Sequence, residues 1–326
     1  MLVVHEDEIR DSVPMADAIE AVQGAFAALA RGDARLPDVI YMDFTEFEGE
    51  THVKGAHMKG APYFVCKIAS GFYRNPERGL PVGSGLVLVF DASTGLPQAI
   101  LLDNGYLTDL RTGAAGAVAA RHLARETLTK VAIIGSGLEA GFQMRALAEV
   151  RTVPTVFAWS RTRERAEGLA AQMRDELGLD VRVSDTVEDA VREADLVITA
   201  TPSREPIVMA EWISPGAHVT ALGSDGPDKQ ELDVQLLARA DVVVADHLEQ
   251  CAKKGEIHHA LATGAIALGD VAGELGAVIE GRIPGRTSDE QVTVCDLTGV
   301  GVQDAAVGGL AFERARAAGR GSTLEL

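Results

Sequence analysis

Residues 130–141 read KVAIIGSGLEAG, and this segment constrains the fold more than any other part of the chain. Its VAII stretch is β-branched or small and apolar, which is the pattern of a strand buried on both faces. Gly135, Gly137 and Ala140 then fill the G-x-G-x-x-G/A fingerprint, and helix-compatible sequence follows over 139–150. Glycines at these places permit a tight turn and a close approach of the backbone to a pyrophosphate. The segment predicts a dinucleotide site, with a Gly-rich turn that binds no ligand as the alternative.

Further cofactor contacts are expected around this turn. Ser136 and Leu138 lie where the free N–H groups of a helix N-terminus bind phosphate. Thr201 follows an apolar strand whose carboxyl end should lie beside the nicotinamide half of the cofactor. Thr112, in an Ala-rich helix that leads into the fingerprint, is a fourth candidate.

The end of the second predicted Rossmann strand indicates which dinucleotide is bound. An acidic residue there binds the ribose of NAD, whereas a small residue with a nearby arginine favours the 2′-phosphate of NADP. This chain has Ser160, Arg161 and Thr162, whose hydroxyls and guanidinium suit a phosphate dianion. NADP(H) is therefore favoured over NAD(H). The alternative is that Arg161 and Arg163 only pair with acidic residues of the next helix.

Composition excludes several classes of protein. The net charge of −18 over 326 residues argues against nucleic acid or an anionic membrane surface as a partner. Cys66, Cys251 and Cys295 are far apart and lack metal-binding spacing, so reduced thiols are expected and no metal site. The N-terminus does not resemble a signal peptide, and no apolar run reaches the ~18 residues of a membrane helix. These features predict a cytoplasmic protein.

The order of the predicted elements indicates two domains. Strands without intervening helices, which predict a mostly antiparallel sheet, are expected at 39–44, 51–58, 63–70, 86–91 and 98–103. From residue 130 strands alternate with helices, which predicts a doubly wound parallel sheet of the Rossmann type. The fold class is thus α/β, a Rossmann sheet plus an α+β domain. We expect a substrate-binding and dimerisation domain at 1–119 plus 302–326, and a dinucleotide-binding domain at 120–301.

Two basic residues occupy places where a charge is costly. Lys67 lies within an apolar strand, so it either holds a substrate carboxylate or guards an exposed strand edge. Arg111 lies early in a helix of small apolar residues, where a guanidinium usually has an anionic partner. That partner is a ligand carboxylate, or simply Asp109 or Asp103.

Asp225 is the candidate acid/base. It lies in the segment GSDGPDKQEL, just after a predicted parallel strand, where open α/β sheets place their ligands. A carboxylate in such a loop can exchange a proton with an amine or imine. A turn-forming or helix-capping role explains the residue equally well.

With these residues in view, the chain resembles the ornithine cyclodeaminase/μ-crystallin family over nearly its whole length. The segments that carry the resemblance are residues 67–81, 103–112, 135–140, 223–231 and 299–304. The resemblance implies a homodimer in which the N-terminal sheets of two subunits join, with the active site between the substrate domain and the Rossmann domain. Members reduce imines, oxidise amino acids, or cyclodeaminate ornithine or lysine with a recycled NAD.

Carried over residue by residue, the resemblance implies specific roles. Lys67 and Arg111 bind the substrate carboxylate, with Arg35 as a further substrate ligand. Asp225 is the catalytic acid/base, and Lys67 belongs to the catalytic set. The sequence after the second Rossmann strand is similar to the Asn-Arg-Thr of μ-crystallin, which suits NADPH. The segments 75–81 and 295–299 are most similar to the ectoine-utilisation branch of the family.

The expectation is an NAD(P)H-dependent imine reductase, or the reverse amino-acid dehydrogenase, acting on a small amino or imino acid. One alternative is an ornithine-type cyclodeaminase that releases ammonia without net redox change. Another is a non-enzymatic protein that keeps the NADPH site for ligand binding, because fold alone never proves catalysis.

Overall fold

The computed structural model describes residues 1–10 and 12–325. The chain folds into two units, Met1–Arg111 with Val300–Leu326 (unit 1) and Thr112–Gly299 (unit 2). The three cysteines are free thiols. Within the described residues, no helix combines the length and the apolar character needed to cross a membrane.

The strands, in chain order, are β1 Leu2–His5, β2 Ala34–Arg35, β3 Ile40–Phe44, β4 Gly49–Met58, β5 Tyr63–Phe72, β6 Gly83–Asp91, β7 Pro97–Leu102, β8 Val131–Ile134, β9 Thr155–Trp159, β10 Asp180–Val183, β11 Leu196–Thr199, β12 His218–Ala221, β13 Val242–Ala245, β14 Gly273–Glu274, β15 Thr293–Asp296 and β16 Ser322–Thr323.

The helices are α1 Glu6–Arg10, α2 Met15–Ala30, α3 Tyr106–Leu123, α4 Leu138–Val150, α5 Arg163–Leu177, α6 Val187–Val191, α7 Val234–Arg239, α8 Leu248–Cys251, α9 Glu256–Ala262, α10 Leu275–Ile279 and α11 Gly301–Ala317. Short 3-10 turns lie at Thr45–Phe47, Asn75–Arg78, Ala210–Trp212 and Leu268–Asp270.

Unit 1 is built on a sheet of eight strands in the order β16-β1-β7-β6-β5-β4-β2, with β3 also pairing with β4. Only β1 and β7 run parallel in it, so the prediction of a mostly antiparallel sheet is confirmed. Lys67 lies on β5, between β4 and β6. The interpretation of Lys67 as a guard of an exposed strand edge is therefore wrong.

Helices α2 and α11 supply much of the apolar cover of unit 1. Ile19, Val22 and Phe26 recur at helical spacing on α2 and are fully or almost fully buried. On α11, a side chain at Gly308 would lie 3.0 Å from Val87 of β6, so the glycine lets the helix pack closely on the sheet. The same face of the sheet continues past this apolar contact into a polar region, described below.

Unit 2 is built on a second sheet of eight strands, in the order β10-β9-β8-β11-β12-β15-β13-β14. All of its strand pairs are parallel, and every residue of β8, β11, β12, β13 and β15 is buried. This is the doubly wound parallel sheet predicted from the alternation of strands and helices. Its carboxyl edge, where such sheets bind ligands, carries the loops after β8, β9, β11 and β12.

Candidate active site

The turn after β8 has the geometry that a pyrophosphate requires. Gly135 has a φ of +126°, and a Cβ there would lie 2.4 Å from the carbonyl oxygen of Ala200, so only glycine fits. Gly137 is the N-cap of α4, where no side chain caps the helix, and a Cβ built on it meets nothing within 4 Å. Ala140 is fully buried. The first N–H groups of α4 thus face open space, and these residues fit a dinucleotide phosphate.

The residues after β9 adjoin this turn. The hydroxyls of Ser136 and Ser160 are hydrogen-bonded at 2.8 Å. Arg163 forms ion pairs with Glu167 and Asp185. Arg161 is exposed and forms no ion pair within the described part of the chain. The alternative that both arginines only pair with acidic residues is therefore correct for Arg163 and not for Arg161.

Three more of the predicted cofactor residues differ in how far they are buried. Leu138, the first residue of α4, is 68% exposed. Thr162 precedes α5 as its N-cap and is exposed. Thr112 is buried, and its carbonyl oxygen accepts a hydrogen bond of 2.8 Å from the Gln143 side chain. Their contacts with a cofactor stay predictions.

The loop after β12 holds Asp225 in a defined conformation. The Lys229 ammonium donates a hydrogen bond of 2.7 Å to Asp225 and is itself mostly buried. The Lys229 carbonyl accepts hydrogen bonds from the Ser224 hydroxyl and, at 2.8 Å, from the His259 ring. The N-cap of α7 is Asp233, so Asp225 does not cap that helix. The structure thus places this carboxylate at the carboxyl edge of the sheet, and its role as the acid/base stays a prediction.

Unit 1 contains a buried cationic cluster, which we define as Lys54, Lys67 and Arg111 around Asp304. The Asp304 Oδ1 atom lies 3.1 Å from Lys67 Nζ and 3.2 Å from Arg111 Nε. Lys54 lies directly opposite Lys67 on β4, so both side chains emerge from the same face of the sheet. All four residues are at most 6% exposed. The partner of Arg111 is thus Asp304, and neither Asp109 nor Asp103.

Three basic side chains act on the Asp304 carboxylate. Burial alone would raise the pKa of Asp304, but Lys67, Arg111 and Lys54 outweigh it and hold that pKa below its usual value. Burial lowers the pKa of Lys67, and Asp304 opposes this shift. Glu50 is also buried and shares a face of β4 with Lys54, so acidic groups other than Asp304 lie on this side of the sheet. A lysine and an arginine side by side are suited to binding a carboxylate through charge-assisted hydrogen bonds.

Arg35 lies apart from this cluster. It is exposed on β2, directly opposite His57 of β4. Side chains alternate along a strand, so His57 and Lys54 lie on opposite faces of β4. Arg35, which pairs with His57, is therefore on the face opposite to that of Lys54. A substrate-binding role for Arg35 stays a prediction.

Sequence reasoning missed three residues with clear roles in this geometry. Lys54 shares a face of β4 with His52, and the argument applied to Lys67 could have found it. Asp304 is a lone carboxylate at the start of a helix of small apolar residues, which is a signal of the same kind as Arg111. Glu231, which binds the loops after β11 and β12, has no local signal, because its partners come together only in the folded unit.

The turn after β8 and the cationic cluster, on two different sheets, define the class of nicotinamide-dependent oxidoreductases that act on small anionic substrates. A family model identifies the family. The model for the ornithine cyclodeaminase/mu-crystallin family matches residues 1–319, and the chain belongs to that family.

Individual relatives agree with this assignment. A putative dehydrogenase of Rhizobium meliloti is 44% identical over 326 residues, covering 100% of this chain and 99% of the relative. An archaeal alanine dehydrogenase dimer with bound NAD has a TM-score of 0.94 at 37% identity, covering 100% and 99% of the two chains. The Δ1-pyrroline-2-carboxylate reductase of Thermococcus litoralis, in complex with NADH and L-proline, has a TM-score of 0.95 at 28% identity, covering 99% and 100%.

Proposed function

We propose that this protein is an NAD(P)H-dependent imine reductase, or in reverse an amino-acid dehydrogenase, acting on a small 2-imino or 2-amino acid. The observation that carries the proposal is the buried cationic cluster, in which Lys67 and Arg111 converge on one place and together suit a substrate carboxylate. Two relatives of stated activity, an alanine dehydrogenase and a pyrroline-2-carboxylate reductase, support it, since both act on small 2-amino or cyclic 2-imino acids.

Each group of the chain has a distinct task in this reaction. Lys67 and Arg111 bind the substrate carboxylate and fix its orientation, which lowers the entropy cost of the reactive geometry. The nicotinamide ring supplies or accepts the hydride when the dinucleotide is bound. Asp225 gives a proton to the substrate nitrogen during reduction and takes it back during oxidation, and Lys229 holds its carboxylate in place.

For the cofactor we propose a preference for NADPH. Support comes from Ser160, Arg161 and Thr162 at the end of β9, where the Arg161 guanidinium forms no ion pair among the described residues. The two solved relatives hold NAD and NADH, so the preference rests on the side chains of this chain.

We further propose that residues 1–119 with 302–326 form the substrate-binding and dimerisation domain of a cytoplasmic homodimer, and residues 120–301 the cofactor domain. The apolar side chains of Ile40, Met42 and Phe47 on and after β3 are 57%, 42% and 52% exposed. A patch of this kind on a water-soluble protein usually marks an interface. Sedimentation equilibrium of the wild type and of Met42→Glu tests this: a dimer that dissociates in the variant is expected, and a wild-type monomer contradicts it.

The test of the activity is oxidation of NADPH and NADH, followed by absorbance, with a panel of 2-keto acids plus ammonia or amines and of cyclic 2-imino acids. We expect stoichiometric oxidation with one substrate class, lost in Lys67→Met. The matched control is Lys59→Met, which removes an exposed lysine of the neighbouring β4–β5 turn. Ammonia release from a diamino acid without net oxidation would instead establish the cyclodeaminase. Cofactor binding with no turnover of any kind would leave a ligand-binding protein.

A further inference from the structure

Glu231 joins two loops at the carboxyl edge of the sheet in unit 2. Its fully buried carboxylate accepts hydrogen bonds from the Thr199 hydroxyl at 2.7 Å and from the Gly223 amide at 2.8 Å. It also accepts from the amide and the hydroxyl of Thr201, at 2.6 and 2.7 Å. One side chain therefore holds the end of β11 and the loop that follows it against the loop after β12.

The backbone of Glu231 makes further contacts. Its carbonyl accepts hydrogen bonds from the amides of Ile207 and Val208, at 2.8 and 3.0 Å, farther along the segment that follows β11. Its amide donates to the Glu256 carboxylate of α9 at 2.8 Å. The main chain that carries the carboxylate is thus tied to α9 as well as to the segment after β11.

The two loops also touch directly. A Cβ at Gly223 would lie 2.1 Å from the carbonyl oxygen of Thr201 and 2.7 Å from the Glu231 carboxyl carbon. Only glycine at position 223 allows this approach. The side chain between the Thr201 and Gly223 amides must accept both hydrogen bonds, which a carboxylate can do. Burial raises the pKa of Glu231 to about 6 against the opposing effect of its hydrogen bonds, so the carboxylate is ionised at neutral pH.

We propose that Glu231 is a positioning residue that fixes the position of Thr201 relative to that of Asp225. Thr201 lies at the cofactor, and Asp225 is two residues after Gly223. This inference rests on the proposed function, in which Thr201 contacts the dinucleotide and Asp225 exchanges the substrate proton. Glutamine is nearly isosteric but presents an NH₂ group on one side. That group faces a backbone N–H which cannot rotate away, so one of the two loops loses its anchor.

Amide hydrogen exchange of the protein without added ligand is the first test. In Glu231→Gln we expect whichever of the Thr201 and Gly223 amides faces the NH₂ group to exchange about tenfold to a hundredfold faster, because it loses a hydrogen bond to a charged group. The control is Asp195→Asn. Asp195 accepts hydrogen bonds from the Thr129 amide and hydroxyl at the opposite, amino edge of the same sheet, and its loss should leave the exchange of both amides unchanged.

Kinetics provide the second test. In Glu231→Gln we expect kcat to fall roughly tenfold to a hundredfold, as for a displaced catalytic group, with the dinucleotide Kd changed about threefold or less. The primary isotope effect with nicotinamide-deuterated cofactor should rise, since the chemical step becomes slower than release. Asp195→Asn, with a comparable loss of Tm, should keep the wild-type kcat and isotope effect.

Several outcomes would overturn the proposal. One is unchanged exchange at both amides in Glu231→Gln, and another is a kcat equal to that of the control. If Glu231→Gln does not fold, Glu231→Asp replaces it, because the shorter side chain keeps the charge but cannot reach both loops, and unchanged exchange at Thr201 and Gly223 in that variant refutes the proposal. If the wild type turns over no imino acid, the proposed function fails while the exchange experiment still decides whether Glu231 holds the two loops.

Discussion

Replacing Asp304 with asparagine tests the electrostatic account of unit 1 most directly. Asp304 is 2% exposed, and one of its oxygens lies 3.1 Å from Lys67 Nζ and 3.2 Å from Arg111 Nε. A neutral amide leaves two buried cations without their counter-ion. Removing one partner of a buried ion pair costs about 3–5 kcal/mol of unfolding free energy. At roughly 2–4 °C per kcal/mol, we expect Tm to fall by about 10 °C.

The assay is denaturant and thermal unfolding of Asp304→Asn beside a matched variant, Asp17→Asn. Asp17 of α2 forms an ion pair of 2.7 Å with Arg314, which lies on α11 like Asp304. The side chains of Asp17 and Arg314 are 46% and 37% exposed. Such an exposed pair contributes about 0–1 kcal/mol, so the control should unfold almost like the wild type. The difference between the two variants isolates the effect of burial from that of losing an ion pair on α11.

The effect of Asp304→Asn should also depend on pH with a definite sign. The pKa of folded Asp304 lies below its usual value, so this carboxylate stabilises the native state above its unfolded pKa of about 3.9. That stabilisation is lost as pH falls through the lower, folded value. The gap between wild type and variant should therefore be full at pH 7 and shrink in acid. A gap under about 1 kcal/mol at pH 7, or one that grows in acid, refutes the reasoning.

Three further predictions concern unit 2. Gly135→Ala should lower Tm, because the added Cβ would lie 2.4 Å from the Ala200 carbonyl oxygen. Gly137→Ala should leave Tm unchanged, since its Cβ meets nothing within 4 Å, but should weaken dinucleotide binding in a fluorescence titration. Equal effects of the two variants on Tm would contradict this prediction. Burial raises the pKa of Asp296 to about 8, so the unfolding free energy should fall by up to about 1.4 kcal/mol per pH unit between about pH 4 and 8. Asp296→Asn should flatten that fall in denaturant titrations at pH 5 and 8, and an unchanged slope counts against it. Arg161→Ala should raise the Kd for NADPH about tenfold or more and leave NADH binding unchanged, and parallel changes for both would exclude a 2′-phosphate contact.

The parts of the fold that carry a local signal could be predicted from the sequence. The strand, turn and helix around Gly135 follow from residue types at fixed spacing, and the alternation after residue 130 predicts the parallel sheet. β1 and β16 could not be predicted in this way. They contain four and two residues, and they pair through Leu2 and Thr323, at opposite ends of the chain.

Residues of the candidate site could be predicted where a charged residue lies among apolar or small neighbours in the sequence. Lys67 and Arg111 stand out because their neighbours are apolar or small. The partner of Arg111 could not be predicted, because Asp103 and Asp109 are close to it in the sequence, whereas Asp304 lies 193 residues away. Glu231 stands among other polar residues, so its burial becomes evident only when the loops after β11 and β12 come together.

The pKa values of buried carboxyl groups shift in opposite directions at different places in the fold. In unit 2, the carboxyl groups of Glu256 and Asp296 accept hydrogen bonds from backbone N–H groups, and burial raises the pKa of each. In unit 1, the pKa of Asp304 is held low and three buried cations surround it. The net charge of −18 therefore says little about the site. In the proposed function the substrate carboxylate binds the basic side chains around Asp304, which are at most 6% exposed and therefore little screened by water.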